Sequence, residues 1–312
     1  MKCSDKGEKP VIAYIILAHQ LFPQLSRLVA SLQSSSAHFF VHVDRRASRR
    51  FADFAQTEDG SSLLSNPSVT MVEPREKVVW GGFRMVEAGL RACEMALRMP
   101  SVQRFKLLSG QDYPLKSTGE IEAFLLSSPG VSYLTGERVT GGWLMVLARY
   151  RWFIDHVRVW KPALMLLVLQ MKLGLARKIP EELELHKGSM WWALSRQAVE
   201  YVHDALRERA GLKPYFRYAG IPDETMYPSL LLSPSFNGRV VQDNLLFEVW
   251  ERPGDPHPRI LGKGDLEQML NSSKLFARKF DERVDGEVLD LIDRYRQTKV
   301  TPRCRGVDHG SH

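Results

Sequence analysis

Length, composition and charge narrow the classes of protein to which this chain can belong. Its 312 residues (35.6 kDa) are 44% hydrophobic and 25% charged, which excludes a disordered, collagenous or disulfide-scaffold protein. The net charge of +7 and the pI near 9.3 favour a phosphorylated or polyanionic ligand, or an anionic membrane surface. Cys3, Cys93 and Cys304 form neither a zinc-ligand nor a disulfide pattern, so we expect a reducing compartment.

The first 115 residues alternate strand and helix signals. In chain order they predict a strand over residues 11–17, a helix over 23–32, strands over 39–43 and 69–72, a helix over 82–98 and a strand over 105–108. Strands separated by helices predict parallel βαβ units in a sheet covered on both faces. Ligands bind beyond the carboxyl ends of such strands, which makes His19, Asp44, Trp80 and Asp112 candidate functional residues.

The second half of the chain is less regular. Residues 137–179 show no clean period, and further helices are predicted after residue 194, over 222–231, near 265–270 and near 287–295. We expect one domain over residues 1–298, with a nucleotide-binding half (11–115) merged with an acceptor and catalytic half (116–298), and a flexible tail over 299–312. The apolar run that starts at residue 11 is a strand rather than a signal peptide, and no stretch reaches the roughly 20 apolar residues of a membrane span.

Several common catalytic motifs are absent from the sequence. No glycine-rich phosphate loop, nucleophile elbow or H-E-x-x-H string occurs, which argues against a dehydrogenase, a P-loop NTPase, an α/β-hydrolase and a zincin. No D-x-D pair occurs either. If the protein binds a pyrophosphate, Arg or Lys must therefore take the place of a divalent metal.

Three further features allow two interpretations each. Pro222-Asp223-Glu224 fits the first turn of a helix, and it also fits a carboxylate that accepts a proton from an attacking hydroxyl. The basic run from Arg45 to Arg50 lacks the interleaved aromatic residues of a nucleic-acid site, so a solvated helix face explains it better. Most of the seven tryptophans are expected in the core, although tryptophan also stacks on sugar rings.

An ordered set of short strings resembles the core-2/I-branching family of inverting β-1,6-N-acetylglucosaminyltransferases, which includes the protein O-xylosyltransferases. In the first half these are Ala13-Tyr-Ile-Ile-Leu-Ala-His19, Phe40-Val-His-Val-Asp-Arg45, Val78-Val-Trp-Gly-Gly82 and Leu108-Ser-Gly-Gln-Asp-Tyr-Pro114. In the second half they are Gly188-Ser-Met-Trp-Trp192, Pro222-Asp-Glu224, His257-Pro-Arg-Ile260, Gly264-Asp-Leu266 and Leu275-Phe-Ala-Arg-Lys-Phe280. The set covers residues 11–285.

The resemblance implies an α/β fold of the GT-A glycosyltransferase type, without a metal or other cofactor. By the family pattern Glu224 is the catalytic base, and Arg259 and Lys279 bind the donor diphosphate. The implied nucleotide-binding residues are His19, Asp44, Arg45, Trp80 and Asp112, and the implied acceptor-binding residues are Glu137, Trp250 and Asp223. Few cysteines and no N-terminal anchor indicate a bacterial, cytoplasmic relative.

The function implied is transfer of N-acetylglucosamine from UDP-GlcNAc to a hydroxyl of an acceptor glycan, with inversion at the anomeric carbon. Transfer from UDP-xylose on the same fold is the nearest alternative, and a non-catalytic glycan-binding protein is the more distant one. The expected partners are a UDP-sugar and a glycan, and no nucleic acid. The sequence does not indicate the acceptor, the linkage or the oligomeric state.

Residues 149–178 suggest that the protein binds peripherally to the inner face of the cell membrane. They combine seven basic residues with a Trp-containing apolar segment, and Asp155 is the only acid among them. Such a segment can lie in the interface of an anionic membrane. A core helix is the other interpretation, and the sequence does not choose between them.

Overall fold

The computed structural model describes residues 9–252, 254–255 and 257–299. Its strands are β1 Val11–Ala18, β2 Ala37–Val43, β3 Val69–Met71, β4 Val102–Ser109, β5 Asp112–Pro114, β6 Val131–Tyr133, β7 Glu137–Arg138, β8 His186–Lys187, β9 Ala193–Ser195, β10 Arg239–Val241, β11 Leu246–Glu248 and β12 Phe276–Arg278. All four predicted strands are present. Residues 300–312 of the predicted tail lie outside the described residues.

The helices complete the element order. They are α1 Phe22–Leu32, α2 Ser48–Ala55, α3 Glu58–Ser65, α4 Phe83–Leu97, α5 Thr118–Leu126, α6 Gly142–Arg149, α7 Ile154–Val157, α8 Trp160–Lys172, α9 Arg196–Glu208, α10 Leu212–Arg217, α11 Pro222–Leu231, α12 Leu266–Asn271, α13 Glu282–Asp285 and α14 Glu287–Thr298. Each predicted helix matches one of these to within a few residues. None of the helices in the described part of the chain is long and apolar enough to cross a bilayer.

A seven-stranded mixed sheet in the order β10-β6-β9-β4-β1-β2-β3 forms the centre of the fold. Strands β3, β2, β1 and β4 are parallel, as predicted, whereas β9 is antiparallel to both β4 and β6. The predicted α/β fold, with a Rossmann-like parallel half joined to a mixed half, is confirmed. The parallel register brings the carboxyl ends of β1, β2 and β4 to one edge of the sheet.

Apolar cores cover both faces of this sheet. Along β1 the side chains of Ile12, Tyr14 and Ile16 enter one core, and those of Ala13 and Ile15 enter the other. All five are fully buried. Burial of a large aliphatic side chain contributes about 1.5–3 kcal/mol, so the two cores hold the strand ends in place for the loops that follow them.

Two small sheets extend the central one. In the three-stranded sheet β11-β12-β5, Arg278 on β12 lies opposite Asp112 on β5 and Glu248 on β11. In the two-stranded sheet β7-β8, Glu137 lies opposite Lys187. These short strands place charged residues from distant parts of the chain next to each other.

The expectation that most tryptophans lie in the core is wrong. Trp152 and Trp192 are buried, and Trp191 is partly buried. The other four are exposed: Trp80, Trp143, Trp160 and Trp250. Two of these exposed rings, Trp80 and Trp160, pack on each other at the surface instead of entering the core, with 5.2 Å between their centroids.

Candidate active site

The loops after β1 and β2 meet at the carboxyl edge of the parallel sheet. The backbone N–H of Asp44 donates to the carbonyl of Ala18, 2.8 Å away, which places Asp44 beside His19. The Asp44 side chain is buried and accepts a hydrogen bond from the backbone N–H of Arg46 at 2.7 Å. Arg45 is exposed at the same edge. Three of the predicted nucleotide-binding residues therefore lie together.

Asp112 lies deeper than its neighbours at this edge. Its side chain is fully buried, and Arg278 Nε lies 3.7 Å from both Asp112 Oδ1 and Glu248 Oε1. The guanidinium carbon of Arg278 also lies 3.8 Å from the ring centroid of Trp191. Burial raises the pKa of Asp112 and of Glu248, and the charge of Arg278 opposes this rise. Asp112 thus lies close to the charge of Arg278 and, being fully buried, presents no surface to a ligand.

Lys279 is fixed next to the loop that follows β4. The backbone N–H of Phe280 donates to the carbonyl of Gln111 at 2.8 Å, and Gln111 Nε2 donates back to the Phe280 carbonyl at 3.2 Å. Lys279 also acts on His19: desolvation is the main cause that lowers the pKa of His19, and the positive charge of Lys279 lowers it further. Lys279 has no carboxylate within ion-pair distance in the described part of the chain. It is a half-buried cation available to an anionic ligand.

Arg259, in contrast, already has a carboxylate partner. Both terminal nitrogens of its guanidinium contact Asp265, and the Nη1–Oδ2 distance is 2.8 Å. This pairing lowers the pKa of Asp265. A carboxylate that binds both terminal nitrogens of a guanidinium fixes the direction of its remaining N–H groups.

The loop of Trp80 connects the sheet edge to the second half of the chain. The Trp80 ring lies edge-on to His257, with 6.4 Å between centroids. The next residue, Gly81, has a φ of +72°, a conformation that favours glycine, and its carbonyl accepts from the backbone N–H of Ile221 at 3.3 Å. Ile221 directly precedes α11. The predicted nucleotide-binding loop is therefore tied to the helix that carries Glu224.

Glu224 lies in the first turn of α11, where the helix dipole favours a carboxylate. Its side chain is 30% exposed, and its Oε2 lies 3.1 Å from Nζ of Lys187. Since Lys187 is the cross-strand partner of Glu137, the structure brings Glu137 and Glu224 to the same lysine. Lys187 thus connects Glu224, the candidate catalytic base, with the strand that carries Glu137, a candidate acceptor residue.

Asp223 has a different environment from the carboxylate beside it. Its side chain is buried, and Oδ1 has no hydrogen-bond partner among the described residues. Burial, with a smaller effect from the charge of Glu224, raises the pKa of Asp223 to about 7. Two adjacent carboxyl groups with such different surroundings can take different roles in proton chemistry.

Trp250 lies in the segment between β11 and Arg259. It follows β11 by two residues, is 49% exposed, and is adjacent to Val249, whose carbonyl accepts from the backbone N–H of Arg259 at 2.9 Å. Of the three predicted acceptor residues, Asp223 and Glu137 therefore lie on α11 and on the strand that pairs with β8, whereas Trp250 lies in the segment that is hydrogen-bonded to Arg259.

Sequence reasoning missed two charged residues of the site, Lys187 and Arg278. Arg278 directly precedes Lys279 in one of the strings that resemble the family, so that string could have identified it. Lys187 carried no local signal, because only the packing of β8 against α11 brings it to Glu224. Among the described residues no group of three or more His, Cys, Asp or Glu side chains is arranged to bind a metal ion.

Comparison with known proteins places this arrangement in context. The model of a family described as "Core-2/I-Branching enzyme" matches residues 12–270. Mouse xylosyltransferase 2 is 26% identical over 92% of this chain, and the match covers 34% of that protein. The beta-glucuronosyltransferase GlcAT14A of Arabidopsis thaliana is 29% identical over 86% of this chain and 60% of its own length. The chain thus spans about a third of the mouse relative.

One solved structure similar to this chain is 4-diphosphocytidyl-2C-methyl-D-erythritol synthase from Anaerococcus prevotii. The TM-score is 0.35 at 9% identity, and the match covers 74% of this chain and 86% of that chain.

Proposed function

The chain belongs to the core-2/I-branching enzyme family, and from this premise we propose that it is an inverting, metal-independent glycosyltransferase. The donor is UDP-GlcNAc, and the acceptor is a hydroxyl group of a glycan. The observation that carries the proposal is the position of Glu224. It lies at the start of α11, next to Lys187, on a helix tied through Ile221 to the loop of Trp80.

In the proposed reaction Glu224 accepts the proton of the acceptor hydroxyl as that oxygen attacks the anomeric carbon. The new glycosidic C–O bond forms on one face of the sugar while the bond to the donor phosphate breaks on the other, which inverts the centre. General-base assistance of this kind typically contributes 10²–10⁴-fold. We assign Asp223, the buried carboxyl group next to Glu224 in the first turn of α11, to acceptor binding together with Glu137 and Trp250.

The leaving diphosphate gains negative charge as the bond to the sugar breaks. Lys279, which forms no ion pair within the described part of the chain, binds that charge, and Arg259 supplies the N–H groups that Asp265 leaves available. Fixed cations can stabilise a departing phosphate as a divalent metal does. His19, Asp44, Arg45 and Trp80 bind the nucleotide at the sheet edge, and Asp112 holds Arg278 below it.

The names of the relatives support a second donor, since one is a xylosyltransferase that matches 92% of this chain. A donor screen decides between them. UDP release from UDP-GlcNAc, UDP-xylose and UDP-glucuronic acid is measured with a panel of acceptor glycans. Acceptor-dependent release from UDP-GlcNAc supports the proposal, release from UDP-xylose alone assigns the alternative, and absence of UDP binding by calorimetry would leave only a glycan-binding role.

A further inference from the structure

Helix α8 is apolar on nearly all sides. Between Lys161 and Lys172 the one polar side chain is that of Gln170, and it points inward. Gln170 Oε1 accepts from the backbone N–H of Arg151 at 3.0 Å, and its Nε2 donates to the Arg151 carbonyl at 2.8 Å. Ala163 and Leu167 are buried on the same side. Every residue that faces outward between the two lysines is therefore apolar.

The outward side of α8 and its flanks form a continuous apolar surface, which we call the α8 surface. Its members are large apolar side chains that are each at least 37% exposed: Val159, Trp160, Leu164, Met165, Leu166, Val168, Leu169, Met171, Leu173 and Leu175. Met165, at 71%, is the most exposed of them. Soluble surfaces rarely expose a contiguous apolar patch of this kind without a partner.

Positive charge surrounds the α8 surface. The exposed basic residues of this part of the chain are Arg149, Arg151, Arg158, Lys161, Lys172 and Lys178. Asp155, the only acid between residues 149 and 178, accepts hydrogen bonds from the backbone N–H groups of Phe83 and Arg84. It is thus committed to the start of α4 and does not offset the basic rim.

We propose that the α8 surface docks into the interface of an anionic lipid bilayer. Apolar side chains would enter the boundary between headgroups and acyl chains, while Lys161 and Lys172 extend their ammonium groups to the lipid phosphates. Each Lys or Arg near an anionic surface favours binding by about fivefold. The 13 residues of α8 extend about 20 Å, which suits a helix lying in the interface. A second copy of this chain fits less well, because face-to-face docking would oppose two basic rims.

The position of α8 relative to the candidate active site gives docking a consequence for the reaction. Trp160 packs on Trp80, and Leu167 and Ala163 share a small apolar core with Val79 and Ile221, the residue before α11. A bilayer at the α8 surface would therefore adjoin the loop of Trp80 and the start of α11, the helix that carries Glu224. This consequence, which rests on the proposed function, is that the acceptor glycan is itself attached to the membrane.

Co-sedimentation of the full-length protein with vesicles tests the docking. Vesicles of phosphatidylcholine with phosphatidylglycerol are compared with pure phosphatidylcholine, and lipid is titrated to obtain partition coefficients. The proposal predicts binding to the anionic vesicles that weakens with added salt, and a roughly 25-fold weaker partition for the double variant Lys161→Gln, Lys172→Gln. Wild-type protein that stays in the supernatant at low salt overturns it.

The variant Met165→Glu, Val168→Glu places two charges in the centre of the α8 surface. It should abolish sedimentation, whereas Leu64→Glu, at an apolar position on α3 that is as exposed as Val168, should leave it unchanged. UDP release with a soluble acceptor is measured for all variants, because retained turnover separates loss of docking from failure of the proposed function. Equal sedimentation of the Met165→Glu, Val168→Glu variant, or a wild-type dimer that this variant dissociates, would overturn the proposal.

Discussion

Nζ of Lys187 lies 3.1 Å from Oε2 of Glu224, and the same lysine is the cross-strand partner of Glu137. The pair joins the start of α11 to the two-stranded sheet β7-β8. The side chains of Lys187 and Glu224 are 42% and 30% exposed, so solvent screens their attraction and the pair adds little to folding stability. What the contact provides is orientation, since it holds Oε2 of Glu224 at one position relative to β8.

Replacement of Lys187 by alanine should lower kcat by about tenfold and leave the donor KM nearly unchanged, because a misoriented base loses transition-state contact without loss of donor binding. Lys187→Arg should restore part of kcat, since it keeps a cation near Glu224. Steady-state kinetics and thermal unfolding of both variants provide the measurement, with Lys213→Ala as an exposed-lysine control. Wild-type kcat in Lys187→Ala would remove the orienting role.

Loss of the Lys279 ammonium group should weaken donor binding. Lys279→Ala is expected to reduce the affinity for UDP by about 10- to 100-fold, the usual range for a lost hydrogen bond to a charged group. Isothermal titration with UDP measures this directly. Lys274→Ala is the matched control, since Lys274 pairs with Asp243 at 2.7 Å. Equal UDP affinity in Lys279→Ala and wild type would contradict the assignment of the diphosphate site.

Chelation of divalent cations should leave turnover unchanged. The expectation rests on Arg259 and Lys279 as the groups that stabilise the leaving diphosphate. UDP release is measured before and after treatment with EDTA, and again after addition of manganese or magnesium. Activity that EDTA abolishes and manganese restores would show that Arg259 and Lys279 alone do not stabilise the leaving diphosphate.

Asp223 should make the folded protein less stable as the pH rises. Its pKa is about 7 in the folded protein, above the ordinary value for an aspartate, so the folded state retains a proton that the unfolded chain releases. The free energy of unfolding therefore falls between about pH 4 and pH 7, by on the order of 1 kcal/mol per pH unit at most.

The variant Asp223→Asn lacks this titration. Its stability relative to wild type should increase as the pH rises through that window and level off above it, as measured by urea unfolding at several pH values. A stability difference that does not change with pH would show that Asp223 titrates normally in the fold.

Much of the fold could be predicted from local patterns. Strands β1, β2 and β4 are runs of seven or eight mostly buried residues, and α4 and α9 have a clear apolar stripe, so period and composition sufficed for them. Strands β5, β7, β8, β11 and β12 contain only two or three residues each, too few for any period. Helix α8 lies within residues 149–178, where the sequence predicts an apolar segment in a membrane interface or a core helix, but its bounds were not predicted, because apolar residues on all sides produce no stripe.

The residues of the candidate site, like the elements of the fold, were predictable only in part. His19 and Asp44 follow buried strands, so their convergence at one edge of the sheet was predictable. The contacts of Glu224 with Lys187, of Arg259 with Asp265 and of Arg278 with Asp112 depend on the three-dimensional path of the chain. A residue type and its spacing indicate which group can do the chemistry, whereas the partner that orients the group follows from tertiary packing.

The measurement that tests the central claim most directly is turnover by Glu224→Gln alongside its affinity for UDP. The amide keeps the size of the side chain but cannot accept the proton of the acceptor hydroxyl. The account predicts a fall in kcat of about 10²- to 10⁴-fold with UDP affinity within about twofold of wild type. Turnover of Glu224→Gln close to that of wild type, with the fold intact, would contradict it.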